Sequence, residues 1–247
     1  MRAGILSIAV CELRRSLLSP LAWCLFALFQ FLLALVFFSN LLIAQSWGGG
    51  QSLAEGAIYV LFSSAGTLLL LTAPIFTMHL FSDEHRSGTM TLFLSSPLSL
   101  PDIVLGKYLG ILSLLGCLLL LILCMPLSLL PAVRLQFQPL LLQALSFGLL
   151  AMPMAAIGIY ASSLTARPML AALGAFSLLF LLWLIELPRH LWTGEMAELC
   201  TYLSIFRHYS RLLHGQMDTA DVFYFFLLSG FFLALTVRRL HNLRVLH

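Results

Sequence analysis

A polar segment between two long apolar runs, residues 82–107, holds the side chains most able to do chemistry. Only 9% of the 247 residues are charged. This segment nevertheless contains three acids, an arginine and the only lysine of the chain, which are Asp83, Glu84, Asp102, Arg86 and Lys107. Such side chains form ion pairs and charge-assisted hydrogen bonds with one another or with a partner protein. Gly88 permits a tight bend, and Thr89 can cap a following helix. We predict a contact site for a partner protein; the alternative is a solvated loop whose charges keep it out of the lipid.

Motifs that would indicate an enzyme are missing from the sequence. Lys107 is followed by Tyr108, and no Gly-xxxx-Gly-Lys-Ser/Thr sequence exists, so the chain has no P-loop of its own. Neither His-Glu-xx-His nor Gly-x-Ser-x-Gly occurs. The seven histidines and five cysteines match no metal-ligand spacing. We therefore predict no catalytic and no metal-binding residue.

Ionisable residues are almost missing from the apolar runs. Carriers that use a proton or ion gradient need such groups as relays within the membrane. Glu186 is the one candidate, and it lies beside Pro188 at the end of a run, where a carboxylate can reach the interface. If the chain moves a solute, the energy must therefore come from another subunit.

Composition indicates that the bilayer is the solvent of this chain. Hydrophobic residues make up 61% of it, and its charged fraction is far below the roughly 25% of a soluble domain. Six apolar runs reach the length of about 20 residues that a spanning helix needs. We predict an all-α, polytopic membrane protein with a single transmembrane domain over residues 1–247 and spans at about 21–44, 57–80, 105–130, 140–161, 169–187 and 220–237.

The N-terminal segment, residues 2–18, has an amphipathic pattern. Its apolar stripe recurs at helical spacing and consists of Ile5, Ile8, Ala9, Leu13 and Leu17. Glu12, Arg14 and Arg15 fall largely off this stripe. The pattern predicts an interfacial helix with its apolar face in the acyl boundary; the alternative is a tail whose positive charges set the topology. Further along, Gly106 and Gly110 permit the close approach of another helix.

The positions of the thirteen basic residues predict the orientation. With the N-terminus in the cytoplasm, nine lie on the inner side, namely Arg2, Arg14, Arg15, Arg86, Lys107, Arg167, Arg238, Arg239 and Arg244. Four lie on the outer side, namely Arg134, Arg189, Arg207 and Arg211. Cytoplasmic segments carry the excess of Lys and Arg, so both termini and the polar segment are predicted to be cytoplasmic. Residues 191–203 and 205–214, which suit short amphipathic or re-entrant helices, are then on the outer side.

The polar segment resembles the signature of permease subunits of type-2 ABC transporters. The matching sequences are FSDEHRSGTM at 81–90, LSSPL at 94–98 and IVLGKY at 103–108. In that family an acidic residue, a basic residue, Gly-Thr, Pro and Gly-Lys follow in this order between spans two and three.

A second stretch resembles the one that leads such permeases into span six. It comprises FRHY at 206–209, GQMD at 215–218 and DVFY at 221–224. Within the family, the short permeases associated with gliding motility are most similar, followed by those of copper-enzyme maturation. Relatives more often have an apolar-acidic pair after the glycine of GQMD, which leaves the subfamily open.

The resemblance implies partners and a mechanism. Two six-span permeases, as a homodimer or a heterodimer of paralogues, form the pathway in the bacterial inner membrane, and two cytoplasmic ATPase subunits dock below it. ATP and Mg²⁺ belong to those ATPase subunits, and this chain binds no cofactor. Coupling residues are expected in the region 82–104, at Asp83, Glu84, Arg86, Gly88, Thr89 and Pro97. The interfacial helix, with Glu12, Arg14 and Arg15, takes up the same movement.

Other partners follow from the same resemblance. The chain contacts the lipid bilayer, and a periplasmic or auxiliary membrane protein is a further candidate; no nucleic acid is expected. The leading hypothesis is the permease subunit of an ATP-driven exporter. The alternative is a scaffold or mechanical subunit of an envelope complex that uses the ATPase without moving a solute. An intramembrane enzyme is disfavoured because no nucleophile-base pair and no metal pair appear within the spans.

Overall fold

Helices form nearly all of the chain that the computed structural model describes, which is residues 2–46, 51–88, 99–129, 137–185, 203–216 and 218–246. Nine helices lie in these ranges: α1 (Arg2–Leu18), α2 (Pro20–Ser46), α3 (Gln51–Thr77), α4 (His79–Ser87), α5 (Leu100–Leu127), α6 (Phe137–Leu164), α7 (Pro168–Leu184), α8 (Ile205–Leu213) and α9 (Thr219–Leu246). Within the described residues there is no strand, and the prediction of an all-α chain is confirmed.

The described part of the chain contains five candidate membrane spans. They are α2, α3 continued by α4, α5, α6 and α9, each long and apolar enough to cross a bilayer. Helix α7 is apolar but is 17 residues long. The end of the predicted fifth span, residues 186–187, lies outside the described residues. The chain is therefore a multi-pass membrane protein, and the sixth span stays a prediction.

Helix α6 forms the centre of the bundle. It packs against α3, α4, α5, α7, α8 and α9. In its most apolar stretch of 18 residues, 72% of the residues are buried, whereas in that of α9 only 22% are. Small residues such as Ala155 and Gly158 allow this crowding, because a Cβ at Gly158 would collide with the Thr77 side chain. The core therefore surrounds α6, while the other spans each expose a face.

The exposed faces of the outer helices are apolar. Large side chains such as Phe31 and Phe38 of α2, Leu173 of α7 and Phe223 of α9 are more than half exposed. A soluble protein rarely exposes apolar patches of this extent. In a bilayer these faces contact acyl chains at no cost.

Helix α3 is interrupted at Met78, four residues after Pro74, and α4 continues the chain to Ser87. Proline is tolerated in a membrane helix where neighbouring groups satisfy the freed backbone. The first part of the polar segment is therefore helical, and α4 carries its charges at the end of the second span. Residues 89–98 lie outside the described residues.

Candidate functional site

Lys107 is buried near the start of α5 and joins three helices. Its ammonium donates to Glu84 Oε1 of α4 at 2.6 Å, to the Leu80 carbonyl at 2.7 Å and to Glu12 Oε2 of α1 at 3.4 Å. The ring of Phe81 lies 5.0 Å from the same nitrogen. Lys107 is 1% exposed, so these charges depend on one another rather than on water. We call Glu12, Glu84 and Lys107 the lysine cluster.

Two glycines of α5 let α1 approach close enough for this cluster. A Cβ added at Gly106 would lie 2.8 Å from the Cβ of Ile8, and one added at Gly110 would lie 2.8 Å from the Cβ of Glu12. Real Cβ atoms do not approach so closely, so a larger residue at either position would push α1 away. The expected close approach at this Gly-xxx-Gly pair is confirmed, and α1 is the helix that makes it.

The packing of α1 corrects one expectation. The stripe that was expected to face acyl chains packs instead against the protein: Ile8 lies on Gly106, Ala9 is buried, and Leu13 contacts the core. The exposed apolar side chains of α1 are Leu6, Val10 and Leu18. The physical reason is that Gly106 and Gly110 carry no side chain, so the apolar stripe of α1 can pack directly against the backbone of α5. Whether α1 lies in the interface plane stays a prediction.

Asp83 connects α4 to α1 at the accessible side of the site. Arg15 Nη2 donates to Asp83 Oδ2 at 3.0 Å, and His79 Nδ1 is 3.2 Å from Asp83 Oδ1. The side chains of Arg15 and Asp83 are 52% and 32% exposed. An ion pair this exposed contributes at most about 1 kcal/mol to stability. Both residues can therefore exchange this contact for another partner.

The predicted coupling residues occupy different environments. Glu84 is buried against Lys107, so it is not available to a partner surface. Arg86 and Gly88 are exposed at the end of α4. Gly88 ends the helix with φ 73°, the left-handed conformation that a tight bend needs. Thr89 and Pro97 lie outside the described residues. A coupling role for any of them stays a prediction.

Ser162 of α6 fixes the start of α4. The first N–H groups of a helix have no partner within it. The Ser162 hydroxyl accepts from the N–H groups of Phe81 at 3.0 Å and Ser82 at 3.2 Å, and it donates to the Met78 carbonyl at 3.0 Å. Ser162 thus provides hydrogen bonds to the backbone groups at the break between α3 and α4. These bonds fix the orientation of α4 relative to the central helix α6.

A second buried cluster lies where α8 meets the start of α9. His208 Nδ1 is 2.5 Å from Asp221 Oδ1, and the imidazole stacks on the Tyr224 ring at 4.2 Å. Arg211 Nη1 lies 3.5 Å from the same carboxylate oxygen, and its Nη2 donates to Asp218 at 2.9 Å. These contacts tie the short helix α8 to the last span.

Tyr209 ties α8 to α3. Its hydroxyl donates to the Phe62 carbonyl at 2.5 Å. Gly66 makes room for the ring, since a Cβ there would collide with it. Complete burial raises the pKa of the Tyr209 phenol well above its ordinary value, so the hydroxyl remains a donor. The predicted helix 205–214 is thus present as α8, and most of its companion, 191–203, lies outside the described residues.

In the described ranges, no group of three or more His, Cys, Asp or Glu side chains could hold a metal ion. In the lysine cluster both carboxylates share the one ammonium of Lys107, and little of the three side chains is exposed. Its geometry suits the mechanical connection of helices.

A family model for the ABC-2 family transporter protein matches residues 6–238, which include both clusters. The chain belongs to the ABC-2 transporter family. The comparison with curated proteins finds no match. The resemblance to type-2 ABC permeases is thus confirmed, and the subfamily stays a prediction.

As an ABC-2 permease, the chain is the membrane component of an ABC transporter. Permeases of this family are not themselves ATPases, which agrees with the lack of a P-loop in the sequence. Two members of the lysine cluster, Glu84 and Lys107, lie within the polar segment by which the permease signature was recognised.

Sequence reasoning missed the roles of two residues. The sequence does contain an indication that Lys107 has a special role, because it is the only lysine of the chain and begins an apolar run. Burial beside two carboxylates explains why a basic residue is tolerated there. Ser162 had no such signal, since serine is common in membrane helices and its partners lie 80 or more residues away in the chain.

Proposed function

We propose that this ABC-2 permease serves an ATP-driven exporter of the bacterial inner membrane, powered by a separate cytoplasmic ATPase subunit. The observation that carries the proposal is the connection of α1, α4 and α5 through the buried ammonium of Lys107. The hydrogen bonds from Lys107 to Glu84 and to the Leu80 carbonyl are 2.6 and 2.7 Å long, so α4 and α5 cannot move apart without breaking them. A force on the end of α4 therefore displaces the two helices together, and α1 follows through Glu12 and the glycine contact.

The exposed end of α4 is the proposed docking point for the ATPase. Arg86, Ser87 and Gly88 are exposed there, and Asp83 is partly exposed on the next turn back. Charged side chains at an accessible helix end suit a partner that must bind and release. In this proposal Glu84 positions α4 from within, whereas Arg86 contacts the ATPase.

A second permease copy or a paralogue completes the proposed transporter. Six spans can hardly enclose a wide pathway alone, and the described spans pack around α6 rather than around an open channel. The pathway is therefore proposed to lie between two permeases.

Copurification tests the proposal. Tagged permease is extracted from membranes in mild detergent, as wild type, Arg86→Glu and the control Arg167→Glu, which alters an exposed arginine in a different connector on the same predicted side. We expect an ATP-binding subunit with the wild type and the control. Arg86→Glu should lose most of it or uncouple its ATP hydrolysis.

Three results would count against the proposal. Absence of an ATPase from every wild-type preparation would remove the energy source. Equal loss in both variants would mean that charge at the cytoplasmic face matters, and not α4. ATP hydrolysis that no solute stimulates, in a complex that retains an envelope protein, would favour the mechanical alternative over export.

A further inference from the structure

A cavity of about 260 Å³ opens between α1, α2, α3, α4 and α5, beside the lysine cluster. Its polar lining consists of Glu12, Arg15, Ser16, Ser19, His79 and Asp83. Its apolar lining includes Leu21, Ile75 and Phe76. Pockets for drug-sized ligands start at roughly 300 Å³, so this space suits a smaller polar group attached to an apolar one.

The polar lining of the cavity carries both signs of charge. A guanidinium has five N–H donors, and the contact of Arg15 with Asp83 uses one of its nitrogens. Glu12 lies 3.4 Å from Lys107, far longer than the 2.6 Å between Lys107 and Glu84. The Glu12 carboxylate therefore has capacity for another donor. A matching ligand offers an anion to Arg15 and a hydrogen-bonding cation to Glu12.

The opening of the cavity has a feature typical of the membrane interface. It opens where α1 ends and α2 begins, at Ser19 and Leu21. Trp23, one turn into α2, is 59% exposed and donates its indole N–H to the Leu17 carbonyl at 2.7 Å. Exposed tryptophan at the end of a span is typical of the membrane interface.

An apolar groove adjoins the cavity. Ile75 lines both spaces, and the groove of about 380 Å³ continues between α3 and α7 past Leu71, Pro74, Leu173 and Phe176. A polar chamber followed by an apolar groove matches an amphiphile, with its headgroup in the first and an acyl chain in the second.

We propose that this cavity binds a phospholipid with a primary ammonium headgroup, of the phosphatidylethanolamine class. The phosphate contacts Arg15 and the ammonium contacts Glu12. A choline headgroup has no N–H donor for the carboxylate, and Phe76 is the one Phe, Tyr or Trp ring among the described lining residues, too few for an aromatic cage. A glycerol headgroup brings no cation to balance Glu12 and Asp83.

Lipid competition tests this proposal without the ATPase. The full-length permease is delipidated and placed in phosphatidylcholine nanodiscs that contain equal minor amounts of phosphatidylethanolamine and phosphatidylglycerol with the same acyl chains. Native mass spectrometry then measures which lipid stays bound. We expect preferential retention of phosphatidylethanolamine, reduced about tenfold in Arg15→Gln and in Glu12→Gln, the effect of one charge-assisted hydrogen bond.

The control is Arg14→Gln, which alters an exposed arginine next in the chain that does not line the cavity and should retain the lipid as wild type does. Arg15 is half exposed, so its variant remains informative even if the Glu12 variant fails to fold. Equal retention of all headgroups, preference for phosphatidylglycerol, or equal loss in the Arg14 control would overturn the proposal. Full competition by soluble phosphoethanolamine would also overturn it, since the acyl groove would then have no role.

Discussion

Lys107 shows how a membrane protein can keep a charge inside. A lone ammonium in hydrocarbon costs several kcal/mol, but here two carboxylates and a backbone carbonyl surround it. The arrangement adds little net stability over an apolar contact of the same shape. Its value lies in geometry, because directional bonds to α1 and α4 fix both helices relative to α5.

Replacing Lys107 alone should be more harmful than replacing it together with its partner. Lys107→Met leaves Glu84 buried without its cation, and we expect the free energy of unfolding to fall by about 3–5 kcal/mol. Adding Glu84→Met removes the stranded carboxylate and should restore part of that loss. Thermal unfolding of the purified proteins in detergent measures both. If the double variant is as unstable as the sum of the two single ones, the pair is not coupled.

Ser162 and its neighbour Ser163 form a matched test at the same scale. Ser162→Ala removes the acceptor of two buried N–H groups at the start of α4, at a cost of about 1–3 kcal/mol. Ser163 is equally buried, but its hydroxyl bonds the Tyr160 carbonyl within α6, so Ser163→Ala should cost less. Urea or thermal unfolding checks the order, and equal losses would mean that the cap on α4 contributes nothing specific.

At the scale of elements, the contact of α1 with α5 depends on the glycines of α5, which have no side chain. In Gly110→Val the added Cβ would lie 2.8 Å from the Cβ of Glu12, whereas the Cβ added by Gly116→Val on the same helix meets nothing within 4 Å. We expect the first variant to move α1 outward and lose about 1–3 kcal/mol, and the second to fold normally. Distances between spin labels on α1 and α5 report the shift. Unchanged distances in Gly110→Val would show that α1 is held mainly by the lysine cluster.

The sequence predicts the elements better than their partners. Apolar runs locate the spans because a bilayer demands about 20 apolar residues, and the stripe of α1 is visible as a helical period. The sequence does not show what this stripe contacts, because apolar side chains pack equally well against acyl chains and against a helix face that carries glycines. The same ambiguity placed Glu84 among residues available to a partner, because a charge next to Asp83 gives no sign of the lysine 23 residues later.

At the scale of the whole molecule, α3 and its continuation α4 contact both α8 and the lysine cluster. Phe62 of α3 meets Tyr209, and Glu84 of α4 meets Lys107. At 1.5 Å per residue these positions are about 33 Å apart, close to the thickness of the hydrocarbon core of about 30 Å. The Tyr209 contact and the lysine cluster therefore lie near opposite ends of the bundle, and α6 packs against both α8 and α4.

This arrangement predicts which side of the membrane each end faces. In a variant without native cysteines, Arg86→Cys at the end of α4 and Asp218→Cys before α9 are both exposed positions, and the ion pair lost with Asp218 is a weak surface contact. A membrane-impermeant maleimide should label Asp218→Cys in intact spheroplasts and Arg86→Cys only in inside-out vesicles, because the excess of basic residues lies on the α4 side. The reverse pattern would place α4 outside the cytoplasm. An ATPase could not then reach it, and the proposed coupling through Lys107 would have no source of force.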